Sequence, residues 1–255
     1  MKRYVAALLA VVCVLASADA KQTRSRSSHA KSKKPYCAGV KVITDCADEG
    51  CGPNSEPELN KRKNIRSDNQ QAVAQTISWM KSLPDPENFT QTNQDRSELK
   101  QLGEGQKIRV VAWVLDVRAE GQETCNCGLT AAKDTDNHLV LVDPNLKKPT
   151  LKLYEPHSIT AEFTPRVRLD HPKFTRERLA PLIDPRWKGG TAKPMGKLLV
   201  RVTGLLLFDS YHFLHNALTR ENNWEIHPIL KFEYCPAGQV CRADSDANWK
   251  DLETD

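Results

Sequence analysis

The stretch SITAEFTPRVRL, Ser158 to Leu169, decides how the rest of the chain is read. Ile159, Ala161, Phe163, Pro165, Val167 and Leu169 alternate with Thr160, Glu162, Thr164, Arg166 and Arg168. A period of two over that length predicts a strand packed on one face and wet on the other. Other strand-like stretches lie on either side of it. Lys107 to Val117 is rich in β-branched residues, and His138 to Asp143 is short and apolar. Lys197 to Phe208 is nearly all apolar, with Gly204 marking a bend or bulge, and Trp224 to Tyr234 closes the series. Phe174 to Ile183 places Leu179, Leu182 and Ile183 on one helical stripe, stopped by Pro185. Three strands, a helix and two strands is the element order of the OB fold, a five-stranded Greek-key barrel. The expected class is therefore mainly β, an OB-like barrel over 105–234.

The chain ahead of the barrel divides by composition. Lys2 and Arg3, an apolar run from Val5 to Leu15 and Ala18-Asp19-Ala20 form a secretory signal over 1–20. The next segment, 21–36, carries six basic residues and no acid. Together they account for more than the whole formal net charge of +5, so the body is near neutral. A near-neutral body argues against strong generic nucleic-acid binding, whereas the basic tail suits an anionic surface. No later segment is apolar enough to span a membrane, which predicts a secreted or periplasmic protein. Residues 37–104 read as a cysteine-containing, partly helical extension, with helix expected from Ala72 to Ser82 and a further turn from Ser97 to Leu102. Asn88-Phe89-Thr90 is a glycosylation sequon.

Seven cysteines follow the signal, and in an exported chain disulfides are their default. Cys235–Cys241 and Cys46–Cys51, each bracketing a short turn, are the expected pairs. Residues 235–255 then form a disulfide loop and an acidic C-terminal tail. Cys125 and Cys127 have two readings. They tie the long loop to the Cys37–Cys51 segment, or they join Asp136 and His138 as ligands of a soft metal.

The motifs Cys125-Asn126-Cys127, Asp136-Asn137-His138, Glu162-Phe163-Thr164-Pro165-Arg166, Leu206-Leu207-Phe208-Asp209 and Trp224-Glu225-Ile226-His227-Pro228 resemble those of a family of exported bacterial proteins without an assigned activity. The resemblance spans the Cys-Gly loop near Cys51 and most of 107–232. It implies the domain boundary and no catalytic role.

Candidate chemistry falls in three places. On an OB barrel the ligand crosses the second and third strands, which nominates Thr164, Arg166 and Arg168, with Tyr211, Phe213 and Arg220 from the last loop. The ligand would be an oligosaccharide, a nucleic acid or a protein. Glu225 and His227 share one strand face, at a spacing suited to acid–base work. Asp136 and Glu162 would hold a divalent cation in a metal-dependent hydrolase, of phosphodiesters for instance, aided by Arg166 and His227. No other cofactor is expected. A third reading is a structural, envelope-associated protein.

Overall fold

Five strands of the computed structural model, which describes residues 36–255, close into the expected barrel. The expected signal segment and residues 21–35 lie outside the described residues. In chain order the elements are α1 (Pro57–Lys63), β1 (Val73–Gln75), α2 (Ile77–Lys81), α3 (Ser97–Gln101), β2 (Lys107–Ala119), β3 (Asn137–Val142), α4 (Leu151–Tyr154), β4 (Ile159–Phe163), α5 (Arg176–Ile183), β5 (Leu198–Phe208), α6 (Ser210–Leu214), β6 (Trp224–Tyr234) and β7 (Lys250–Asp251). The barrel runs β2-β3-β4-β6-β5 and returns from β5 to β2. All its pairings are antiparallel except β4 with β6. With α5 between the third and fourth barrel strands, this is OB topology.

The apolar half of each period-two pattern builds the core. Ile108, Val110, Ala112 and Val114 of β2 point inward with Ile159, Ala161 and Phe163 of β4, all essentially without solvent exposure. The Phe163 ring meets Phe174 at 4.9 Å and Phe232 at 5.1 Å, and Phe208 meets Trp224 at 5.1 Å. Burial of such rings is the main favourable term in folding the barrel. Helix α5 is capped by the Thr175 hydroxyl, which accepts from Arg178 N, and it seats Leu179 and Ile183 on this core.

The organising strand is shorter than its pattern. Strand β4 stops at Phe163, because Pro165 has no N–H to continue the ladder. Thr164 Oγ1 then accepts from Val167 N, and Val167–Leu169 forms a 3-10 turn. Arg166 and Arg168 consequently turn inward, against the expectation of an outward ligand face. Arg166 donates to the carbonyls of Cys46 and Ala47 and pairs with Asp48 at 3.0 Å. Arg168 donates to Asn137 Oδ1 and to the carbonyls of Phe163, Lys133 and Thr135.

The polar face of β4 is not wet either, since Thr160 and Glu162 are both buried. The N-terminal extension and the loop after β2 cover it. Cys46–Cys127 staples these two segments together, and Cys37–Cys51 closes the extension on itself. The expected Cys46–Cys51 bond is thereby corrected. Cys235–Cys241 forms as expected, and Cys125 is the free cysteine among the described residues. Tethering of the long loop to the extension holds through Cys127 alone.

Two further expectations shift. The helix foreseen from Ala72 to Ser82 divides into β1, which pairs parallel with β2, and α2, capped by the Thr76 hydroxyl. The acidic C-terminal segment folds back, with β7 beside β6 and Leu252 fully buried.

Gly204 produces the bend its position suggested. The β5–β6 register shifts on both sides of it. A Cβ at this position would collide with the Pro228 carbonyl oxygen and the Ile226 side chain. We expect Gly204→Ala to cost about 1–3 kcal/mol in urea unfolding, the range for overpacking a tight interior. Gly121→Ala, where an added Cβ meets nothing within 4 Å, should stay within about 0.5 kcal/mol.

Candidate functional site

Sheet register assembles the site. β3 pairs His138 with Glu162, and β4 pairs Thr160 with Glu225 and Ala161 with Ile226. One step further along the same parallel register sets Glu162 beside His227. A row of titratable side chains thus crosses the outer faces of three neighbouring strands. Asp136, immediately before β3, joins one end of it. All of these residues are buried.

The geometry is specific. Donor atoms of Asp136, Glu162 and His227 lie within 4.8 Å of one another. His227 Nδ1 faces carboxylate oxygens of Glu225 and Glu162, each at 3.2 Å. His227 Nε2 faces Asp136 Oδ2 at 4.0 Å, and neither atom has a hydrogen-bond partner. Glu162 Oε2 is the oxygen that faces His227 Nδ1. Asp136 Oδ1 accepts from Asn126 Nδ2 at 3.1 Å, which fixes the carboxylate plane. Buried polar atoms without partners are rare and call for an explanation. Here two of them, Asp136 Oδ2 and His227 Nε2, face each other. Tetrahedral donors each about 2 Å from a zinc-like ion lie about 3.3 Å apart, so the 4.0 Å Nε2–Oδ2 gap would close by about 0.7 Å on binding one.

Electrostatics follow from this packing. Burial pushes the Asp136 carboxyl well above the usual range, and the negative Glu123 and Glu162 push it further. Burial opposes ionisation of Glu162, but His227 and hydrogen bonds to His138 and His227 hold its pKa well below the usual value. For His227 burial acts downward, yet Glu162 and Glu225 outweigh it and raise the imidazole to about 10. The cluster therefore keeps protons where a cation would serve.

A solvent-filled cleft reaches the cluster in two adjoining lobes, each of about 360 Å³. Glu162 and His138 form the floor of one lobe; Lys63, Glu120, Glu123, Asp209 and His212 border both. Glu120 Oε1 lies 3.3 Å from His138 Nδ1. Burial, then repulsion from Glu162, raises its carboxyl. Arg220 bridges Glu225 at 2.9 Å and Asp209 at 3.5 Å, and Lys63 stands 3.6 Å from Glu123 and 3.8 Å from Asp209. A larger groove of about 730 Å³ is rimmed by Lys147, Lys148, Lys152, Lys193 and Lys197, but none of the chemically suited residues reaches it.

The nominated residues thus separate. Asp136, Glu162, Glu225 and His227 come together, with His138 beside Glu162 at 3.6 Å. Thr164, Arg166 and Arg168 serve the fold instead of a ligand face. Cys127 is in a disulfide and so leaves the metal-ligand candidates. Phe213 packs on Phe208 at 5.3 Å, while Tyr211 is 38% exposed and stacks on His215 at the outer lobe. Arg220 does line the cleft, although as a buried partner of Glu225. Lys63, Glu120, Glu123 and Asp209 were not nominated by the sequence. Asp209 left a trace, being the acid that ends the apolar run of β5. Comparison with known families, curated proteins and solved structures returns no match.

Asp209 provides a test of the network beside the cluster. Burial opposes its ionisation, but Lys63, His212 and Arg220 hold its pKa far below the usual range. The Asp209 contact in turn raises His212. A depressed carboxylate stabilises the fold above its unfolded value of about 3.9, and a raised imidazole does so below about 6.5. Asp209→Asn should therefore cost about 3 kcal/mol near pH 5–6, as loss of one partner in a buried ion pair does. That deficit should shrink as pH falls below about 4 and, more modestly, as it rises through the His212 transition. Urea unfolding of both proteins across pH measures it; a deficit independent of pH would contradict the ion-pair account.

Proposed function

We propose that this disulfide-bonded barrel is an exported, divalent-metal-dependent hydrolase. Its ion is held by Asp136, Glu162 and His227 beneath the cleft. The observation that carries this reading is the buried grouping of Asp136, Glu162 and His227, whose donor atoms lie within 4.8 Å of one another, with Asp136 Oδ2 and His227 Nε2 unpartnered and Glu162 lining the cleft. Three protein ligands with an open position is the pattern of catalytic rather than structural sites. Glu225 on His227 Nδ1 supplies the carboxylate that such sites use to orient a metal-bound imidazole.

An ion of this kind lowers the pKa of the water it holds to about 7 and polarises the bond under attack. The chain's own residues do the rest. Glu120, with its raised carboxyl on the cleft wall, is suited to take the water's proton and return it to the leaving oxygen. In the balance, water oxygen bonds to the ester centre, the ester C–O or P–O bond breaks, and the leaving oxygen gains the proton. The narrower phosphodiester reading loses its support, because Arg166 and Arg168 are spent on backbone carbonyls. The cleft is itself rich in acids, so small neutral esters fit it better than long polyanions.

The test joins metal content to turnover. Purified full-length protein loaded with zinc or manganese should retain the ion through dialysis and hydrolyse at least one of a panel of chromogenic carboxylic and phosphoric esters. Asp136→Asn, Glu162→Gln and His227→Ala should each abolish turnover and lower the metal retained. Glu225→Gln should weaken metal affinity by about 10–100-fold, the usual consequence of losing an outer-shell partner. Protein that retains no ion refutes the metal site. Retention with no turnover across the panel refutes the hydrolase.

A further inference from the structure

The acids around the proposed ion do not form one group. A second triad, Glu123, Cys125 and Asp136, has its donor atoms within 4.8 Å of one another and shares Asp136 with the first. Cys125 is 2% exposed and is the described cysteine outside any disulfide. Its Sγ has Glu123 Oε2 at 3.7 Å as its hydrogen-bond partner, a weak contact for a group buried among carboxylates. Glu123 presents its other oxygen to Lys63. One oxygen of this carboxylate therefore faces the cation of the fold and the other faces the thiol. Asp136 Oδ2 remains unpartnered between the two triads, and so does Asn126 Oδ1 in the loop that links Cys125 to Cys127.

From this geometry we propose that the site holds two ions bridged by Asp136, the second bound by Glu123 and the Cys125 sulfur. The inference rests on the metal reading above and deepens it. A sulfur donor selects a thiophilic divalent ion, zinc above all, over magnesium or calcium, which prefer all-oxygen sites. Ion pairs sharing a carboxylate at about 3.5–4 Å clamp the attacking and leaving oxygens of a hydrolytic substrate. The arrangement also gives a reason for an unpaired cysteine in a chain whose six other described cysteines are joined. The staple Cys46–Cys127 fixes the loop two residues from Cys125, so the sulfur is placed before any ion arrives.

Cobalt(II) and elemental analysis decide it on the full-length, disulfide-intact protein. Zinc-loaded protein should carry two equivalents. Cobalt-loaded protein should show visible d–d bands together with a near-ultraviolet sulfur-to-cobalt charge-transfer band. Cys125→Ser should keep one equivalent and the d–d bands and lose the charge-transfer band. His227→Ala should leave the charge-transfer band in place. One equivalent with no sulfur band in the unmodified protein overturns the paired site and leaves the single-ion reading standing. No bound ion overturns both. The unmodified protein's own spectrum is sufficient, so the outcome does not depend on how well either variant folds.

Discussion

The structure depends on one constraint: a row of titratable side chains on the outside of three barrel strands is buried, with the cleft reaching it at Glu162 and His138. Charged groups removed from solvent cost several kcal/mol each unless they are paired and hydrogen-bonded. The chain meets that cost in two ways. Lys63, Arg220 and His212 compensate Asp209, Glu123 and Glu225. Asp136, Glu162 and His227 are left facing one another with atoms to spare. The second arrangement looks unfinished beside the first, and that contrast sets the site apart from the ion-pair network around it.

The barrel alone could not hold this row. Lys63 comes from α1 in the extension, Glu123 and Asn126 from the loop after β2, and Arg220 from the loop before β6. The extension therefore contributes a cation, Lys63, that the barrel strands do not supply. Arg166 makes the same point from the fold side: its guanidinium ends on carbonyls at Cys46 and Ala47, where a free barrel would have water. The Cys46–Cys127 bond spans 81 residues, and loops of that size gain stability from closure on the order of 4 kcal/mol.

Strand order and the apolar halves of the strands were legible in the sequence, because period-two burial and Gly204 leave local marks. The pairing of Glu225 with His227 was legible for the same reason. The environment of the polar half was not. Alternation shows that Thr160 and Glu162 share a face, but it cannot show whether water or another segment covers that face. The covering segment is irregular, and its attachment through Cys46 to Cys127 has no local signature. Arg166 and Arg168 were misplaced by the same gap, since Pro165 ended the ladder before the alternation did. Lys63 and Glu123 were invisible because they reach the cluster through loop and helix positions far from it in sequence.

The covering of one barrel face also changes what counts as the unit of folding here. A fragment cut at the barrel boundary, near residue 105, would carry every strand of the cylinder and still be an incomplete protein. It would lose Lys63 from beside Glu123 and Asp209, strip Arg166 of its carbonyl partners and leave half a staple as an unpaired thiol.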